Sequence, residues 1–311
     1  MSVFVIGGTG FIGYRLVRLL AARGETVTSM DINPAAHSFA DLGPKVSSVR
    51  GDVAQFDDVM AAMAAAQPER VVNLAYLIGS SHPPHAALKL NVLGMDNCLE
   101  AARLLGVKHT VYAGSYAVNG KQANYGERAV TEDDPVHGEY QYARFKIMNE
   151  WQALDYGEKF GMRITGIRAA YVTGPDKVRG TVDHVKIITE PAGGNAVTLP
   201  FKDAMCCLIH VDDMAEVFAR VVMADKPAHR VYNSGGTAIS LGEIAAIVHS
   251  YLPDASITFK NETGARAGNP TYLLDNSRLV SEFAIRYPPL RERILQMIND
   301  VRRANGLSPI A

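Results

Sequence analysis

The stretch GGTGFIG at residues 7–13 follows the apolar run VFVI and leads straight into YRLVRLLAARG. A strand that ends in a glycine turn and continues as a helix leaves unpaired N–H groups and a partial positive charge at the helix start. Gly7, Gly10 and Gly13 let an anion approach the backbone there. The spacing is G-x-x-G-x-x-G, whereas the commoner dinucleotide fingerprint is G-x-G-x-x-G. A plain tight turn would read the same way, so the rest of the chain has to decide.

Through the first half, short β-rich runs alternate with helical patterns. Residues 2–6 read as a strand and 11–22 as a helix with Ile12, Leu16, Leu19 and Leu20 on one face, closed by Gly24. Strands are expected at 25–32, 45–52, 70–76 and 108–115, with helices at about 55–66 and 86–105. A long helix follows at about 139–160, then a sixth strand at 162–171. This alternation predicts an α/β fold, a Rossmann-type doubly wound parallel sheet with right-handed crossovers. After Gly174-Pro175 the pattern loosens, with helices expected at 210–223, 241–252 and 291–305 and a strand at 231–235. The expected organisation is a dinucleotide-binding domain over 1–173 and a smaller C-terminal lobe over 174–311. That lobe would mainly bind substrate and send some segments back to the first domain.

With a net charge of -1, the 311-residue chain does not point to nucleic acid or an anionic membrane. No apolar run approaches the roughly 20 residues of a membrane span, and the N-terminus enters a strand without a charged leader. Three cysteines make no disulfide framework, and the adjacent Cys206 and Cys207 would face opposite sides of a strand. The expectation is a soluble, cytoplasmic protein with reduced cysteines.

Asp31 closes the second strand, 24 residues after Gly7. An acidic side chain near that spacing accepts bonds from the adenosine ribose hydroxyls. It would repel the 2′-phosphate of NADP, and Ile32-Asn33-Pro34 supplies no arginine to hold one. NAD is therefore expected over NADP. Asp52 is placed to accept from the adenine amino group, with Val53 offering backbone bonds. Both aspartates also suit ordinary turns.

In YARFK, Tyr142 and Lys146 stand four residues apart on one face of the long helix. A phenol with its usual pKa of about 10 is a poor base at neutral pH. A neighbouring ammonium stabilises the phenolate and brings it into range. Such a tyrosine takes the proton of an alcohol while hydride leaves for a nicotinamide.

GGTGFIG, Asp31, Asp52, Ser115 and the pair Tyr142/Lys146 form an ordered set, and with it the chain resembles the extended short-chain dehydrogenase/reductases, the NAD-dependent epimerase/dehydratase family. VVNLAY, LKLNVLGMDNCLEAAR, TVYAGSYAVNG, IRAAYVTGP and CCLIHVDDMAEVFA carry the resemblance over nearly the whole chain. It implies that Tyr142 is the acid/base, that Lys146 lowers its pKa and holds the nicotinamide ribose, and that Ser115 bonds the substrate oxygen. It also implies a cofactor site of Gly7, Gly10, Phe11, Ile12, Gly13, Asp31, Asp52, Val53, Leu74, Ala75, Tyr142 and Lys146. Asn91 matches the family's helix asparagine, with a buried structural role and a proton-relay role both open. The resemblance further implies a homodimer pairing the helices near 86–105 and 139–160.

Three features that family members use on nucleoside-diphosphate sugars are replaced here, by Tyr171, Thr173 and Cys206-Cys207. Losing a bidentate phosphate-binding arginine is costly for a pyrophosphate substrate. A smaller, non-nucleotide substrate is expected: a hydroxy acid, a sugar or sugar acid, or an alcohol/ketone. Lys177, Arg179, His184 and Lys186 are candidates for an acidic group, or solvated surface charge. His82 and His85 in SSHPPH lack carboxylate or cysteine partners and make a poor metal site, so no metal is expected. The leading expectation is an NAD-dependent oxidoreductase. The alternative is a nucleotide-sugar epimerase/dehydratase, UDP-hexose 4-epimerase-like, with tightly bound NAD. A dinucleotide-binding regulator without catalysis would not need the Ser/Tyr/Lys set.

Overall fold

The apolar run at the N-terminus becomes β1 (Ser2–Ile6), buried from Val3 onward, as a strand covered on both faces must be. The glycine turn then opens α1 (Phe11–Ala22), followed by β2 (Thr26–Asp31) and β3 (Val46–Arg50). Next come α2 (Phe56–Ala66), β4 (Arg70–Asn73), α3 (Pro84–Leu88), α4 (Gly94–Leu104) and β5 (His109–Ser115). The long helix α5 (Gln141–Phe160) leads to β6 (Ile164–Ala169). The computed structural model describes residues 1–78, 82–264 and 268–311.

The C-terminal part runs through β7 (Tyr171–Thr173), α6 (Asp183–Ala192), β8 (Val197–Phe201), β9 (Met205–His210) and α7 (Val211–Met223). It continues with β10 (Val231–Asn233), β11 (Thr237–Ser240), α8 (Leu241–Tyr251) and β12 (Ile257–Asn261). The last elements are α9 (Ser277–Phe283) and α10 (Leu290–Ala304).

The central sheet has the order β10-β6-β5-β4-β1-β2-β3, all parallel. Strand order reverses between β1 and β4, and the carboxyl ends there open the crevice in which such sheets bind ligands. The helices α1 and α7 cover one face, and α2, α4 and α5 the other. A three-stranded sheet (β11-β9-β7) and the pair β12-β8 build a second lobe with α6, α8 and α10 around its own core. From the C-terminal part, α7, β10 and α9 return to the large sheet.

Two elements differ from expectation. The sixth strand, expected unbroken over 162–171, stops at Ala169. The Ala170 amide donates to Ser234 Oγ at 2.9 Å, and Tyr171–Thr173 pairs with β9 instead. The helix expected at 86–105 starts at Pro84 and contains a wide π-type turn at Lys89–Leu93. Side chains from α5 fill its irregular ladder: Asn149 donates to Asn91 O at 2.9 Å and Gln152 to Val92 O at 3.1 Å. Cys206 and Cys207 are free thiols buried in separate cores on the two faces of β9.

At the amino end of the sheet, buried Arg70 donates to Val222 O and Ala224 O, closing the end of α7. His109 lies beside it with Nε2 2.9 Å from Thr165 Oγ1. Burial pushes His109, His184 and His210 down to about 4, about 3 and about 4. An unfolded chain protonates them near pH 6.5, so below that pH it binds protons the folded chain refuses. Stability is fully present above about pH 6.5 and is lost as pH falls toward 4, by on the order of 2 kcal/mol per histidine. Denaturant midpoints measured between pH 8 and 5 should fall on the acid side, and His109→Gln should shallow that fall. A flat profile would show the three imidazoles to be accessible to protons.

Candidate active site

The glycine turn is shaped by what lies against it. Gly7 has φ +80°, and a Cβ there would sit 2.9 Å from Ala75 N and 3.1 Å from Leu74 C. Leu74 and Ala75, just past β4, therefore border the turn directly. A Cβ on Gly13 would come 2.1 Å from Gly7 O. Gly10 precedes α1 without a side-chain cap, and the Phe11, Ile12 and Gly13 amides have no acceptor among the described residues. This cradle of open N–H groups at a positive helix end fits a pyrophosphate.

Asp31 stands at the end of β2, beside the turn. Its Oδ2 accepts from Thr9 N at 3.3 Å and Oδ1 from Asn33 N at 3.1 Å. Each oxygen keeps a further lone pair for a ribose hydroxyl. Asp52 forms a turn of its own, Oδ1 accepting from Ala54 N at 2.9 Å. The Val53 carbonyl accepts from Asn97 Nδ2 at 2.9 Å and keeps a second lone pair, beside the Val53 amide.

Ser115, Tyr142 and Lys146 come together at the carboxyl end of β5. Ser115 ends the strand and its Oγ accepts from Ala117 N at 3.2 Å. Burial raises the Tyr142 phenol, and a hydrogen bond from Ser115 opposes the rise. The buried Lys146 Nζ donates to Ala113 O at 2.6 Å and lies 5.6 Å from the Tyr142 ring centroid. Burial pulls this ammonium well below its ordinary value. Lys146 Nζ thus faces the Ala113 carbonyl on one side and the Tyr142 ring on the other.

Sequence reasoning missed Tyr76. Its ring lies 3.2 Å from Lys146 Nζ and meets Tyr142 edge-on at 5.3 Å. The Tyr76 hydroxyl is buried without a partner among the described residues. Asn91 holds this loop, accepting from Leu77 N at 2.8 Å and donating to Leu77 O at 3.1 Å. The one available signal was adjacency, since Tyr76 directly follows Leu74 and Ala75.

The remaining candidates lie mainly in the second lobe. Tyr171 packs edge-on to Tyr116 and against His184, both at 5.1 Å. Lys177 Nζ donates to Val172 O at 2.9 Å, and burial pushes it down to about 8. Arg179 and Lys186 are exposed, as is His85, while His82 is half-buried. Ser80 and Ser81 of SSHPPH lie outside the described residues. Asp212 and Asp213 occupy the first turn of α7, where Asp213 pairs with Arg293.

Compared with known proteins, residues 3–235 match the NAD dependent epimerase/dehydratase family. A UDP-glucose 4-epimerase of Mycolicibacterium smegmatis is 30% identical over 233 residues, 71% of this chain and 72% of that protein. The solved structure of Thermus thermophilus UDP-glucose 4-epimerase with NAD superimposes with a TM-score of 0.85 at 26% identity, covering 98% of this chain and all of that one. An L-threonine dehydrogenase from Clostridium difficile shares the fold at a TM-score of 0.85 and 21% identity, each chain 98% covered.

Proposed function

Because the chain belongs to the NAD-dependent epimerase/dehydratase family, we propose that it is an oxidoreductase moving hydride between NAD and a carbinol or carbonyl carbon of a small, non-nucleotide substrate. The observation that carries the reaction type is the meeting of Ser115, Tyr142 and Lys146 at the end of β5, on the same sheet edge as the open glycine turn. Bound NAD supplies the hydride acceptor or donor. Ser115 bonds the substrate oxygen, and Tyr142 Oη takes its proton or returns one. Lys146 holds a ribose hydroxyl with a donor left after Ala113 O. Gly7, Gly10, Phe11, Ile12 and Gly13 cradle the pyrophosphate. Asp31 holds the adenosine ribose, and Asp52 and the Val53 amide flank the adenine. Residues 1–173 would form the NAD-binding domain, apart from β7, which joins the second lobe's sheet, and 174–311 mainly the substrate lobe, with α7, β10 and α9 returning to the first domain.

The choice of a small substrate rests on the residues that stand where the family binds a nucleoside diphosphate. Tyr171 is packed between the Tyr116 and His184 rings, and Cys206 and Cys207 are buried on β9 and present no cation. The epimerase relatives favour a second reading, in which hydride is taken and returned within one turnover. Denaturing the purified protein and quantifying released nucleotide separates the two. An empty protein that binds added NAD reversibly supports the dehydrogenase. Near-stoichiometric NAD that survives dialysis overturns it in favour of the epimerase.

A homodimer and a cytoplasmic location complete the proposal. Leu88, Leu93, Met148 and Trp151 are 45% to 61% exposed on the adjoining helices near 86–105 and 139–160, an apolar face that a second copy would cover. Trp151→Glu should convert the dimer to a monomer in light scattering, and an unchanged mass would exclude this face. The three buried free thiols suit a reducing compartment. Among the described residues no helix is long and apolar enough to cross a membrane.

A further inference from the structure

Lys177 is a cation without a carboxylate partner among the described residues, its Nζ donating to Val172 O. Its ammonium lies 5.8 Å from the centroid of the Phe11 ring, on the first residue of α1. Gly174, three residues earlier, is pressed so close to Phe11 that a Cβ would come within 2.8 Å of its ring. The turn carrying Lys177 is therefore docked on the positive end of α1, which an ammonium opposes. Arg15 brings a second cation to the same helix end, donating to Phe11 O at 3.0 Å.

The nearby carboxylates are already committed. Asp176 forms a two-pronged pair with Arg15, and Asp212 lies 3.3 Å from Arg15 Nε. Lys177 makes no ion pair among the described residues, and only Val172 O takes one of its three donors. His184, which reaches the same Val172 O at 3.4 Å, is kept neutral by burial and by the charge of Lys177. A half-buried ammonium beside a helix N-terminus, lacking a counter-charge, is an arrangement that an oxyanion would relieve.

We propose that Lys177 is a cofactor-binding residue whose ammonium takes the NAD pyrophosphate from the side opposite the Phe11, Ile12 and Gly13 amides. This rests on the reading of the glycine turn as the NAD site. The pyrophosphate is favoured over an acidic substrate group because Lys177 sits over the residue whose amide opens the cradle. The pyrophosphate would then be held between the first lobe's backbone and a second-lobe side chain.

Titration calorimetry with NAD and with adenosine, on wild type, Lys177→Met and Lys177→Arg, tests this without a known substrate. Lys177→Met should weaken NAD about 10- to 100-fold and leave adenosine unchanged, while Lys177→Arg retains most of the NAD affinity. Its melting temperature without NAD should be equal or higher, and the NAD-induced rise smaller. Wild-type NAD affinity in Lys177→Met would overturn the assignment, and a raised KM for an acidic substrate in that variant would move the role to the substrate. Equal losses for NAD and adenosine would also overturn it, as a packing effect. If Lys177→Met does not fold, Lys177→Gln carries the same comparison. A wild type that fails to bind NAD removes the proposed function itself, a result distinct from all of these.

Discussion

Replacing Tyr142 by phenylalanine should lower kcat/KM by about 10²- to 10⁴-fold, the usual contribution of a positioned proton-transfer group. The ring would still fill its place against Tyr76 and Tyr140, where it now packs at 5.3 and 6.1 Å. NAD affinity should therefore stay close to wild type, and only the proton route is lost. The measurement is steady-state kinetics beside direct NAD binding on one preparation. Activity within tenfold of wild type would remove Tyr142 from the chemistry, whereas parallel loss of NAD binding would make it a structural residue.

Gly13→Ala should damage both the fold and the cofactor site. The added Cβ would meet Gly7 O at 2.1 Å and Gly8 Cα at 2.9 Å, backbone atoms that cannot swing aside. Helix α1 would have to lift by about 1 Å, an overpacking cost of roughly 1–3 kcal/mol. The Phe11 and Ile12 amides would move with it. We expect a melting temperature several degrees lower and NAD affinity reduced at least about tenfold. Gly24→Ala is the matched control: φ is +90° there, but no atom lies within 4 Å of the new Cβ. It should lose some stability through backbone strain and leave NAD binding intact. Equal NAD affinity in both variants would show that the turn does not hold the cofactor.

Local pattern was enough for the parallel sheet, because β1 and α1 each carry their own period and the glycines punctuate them. It failed where the deciding partner is distant in sequence. The stretch 162–171 reads as one strand, and only Ser234 and β9 reveal that the chain changes sheets at Ala170. The π-type turn at Lys89–Leu93 depends on Asn149 and Gln152 from another helix. In the site, Tyr142 and Lys146 were readable from their four-residue spacing on one helix, and Ser115 only through the family resemblance. Tyr76 was not, since its place over Lys146 is set by Asn91 gripping Leu77. Lys177 was readable as a cation, but its seat over Phe11 comes from the docking of one lobe on the other.

The strand β9 carries a consequence for how the molecule comes apart. Cys207 and Ile209 point into the core of the large sheet, while Cys206 and Leu208 point into the core of the second lobe. Two hydrophobic cores thus share a single backbone segment, and neither can melt without stripping one side of that segment bare. Lobes joined by a hinge would give two heat-capacity peaks and swing as rigid bodies around a ligand. Here a single calorimetric transition is expected, with any movement between lobes limited to small sliding of side chains across a common strand.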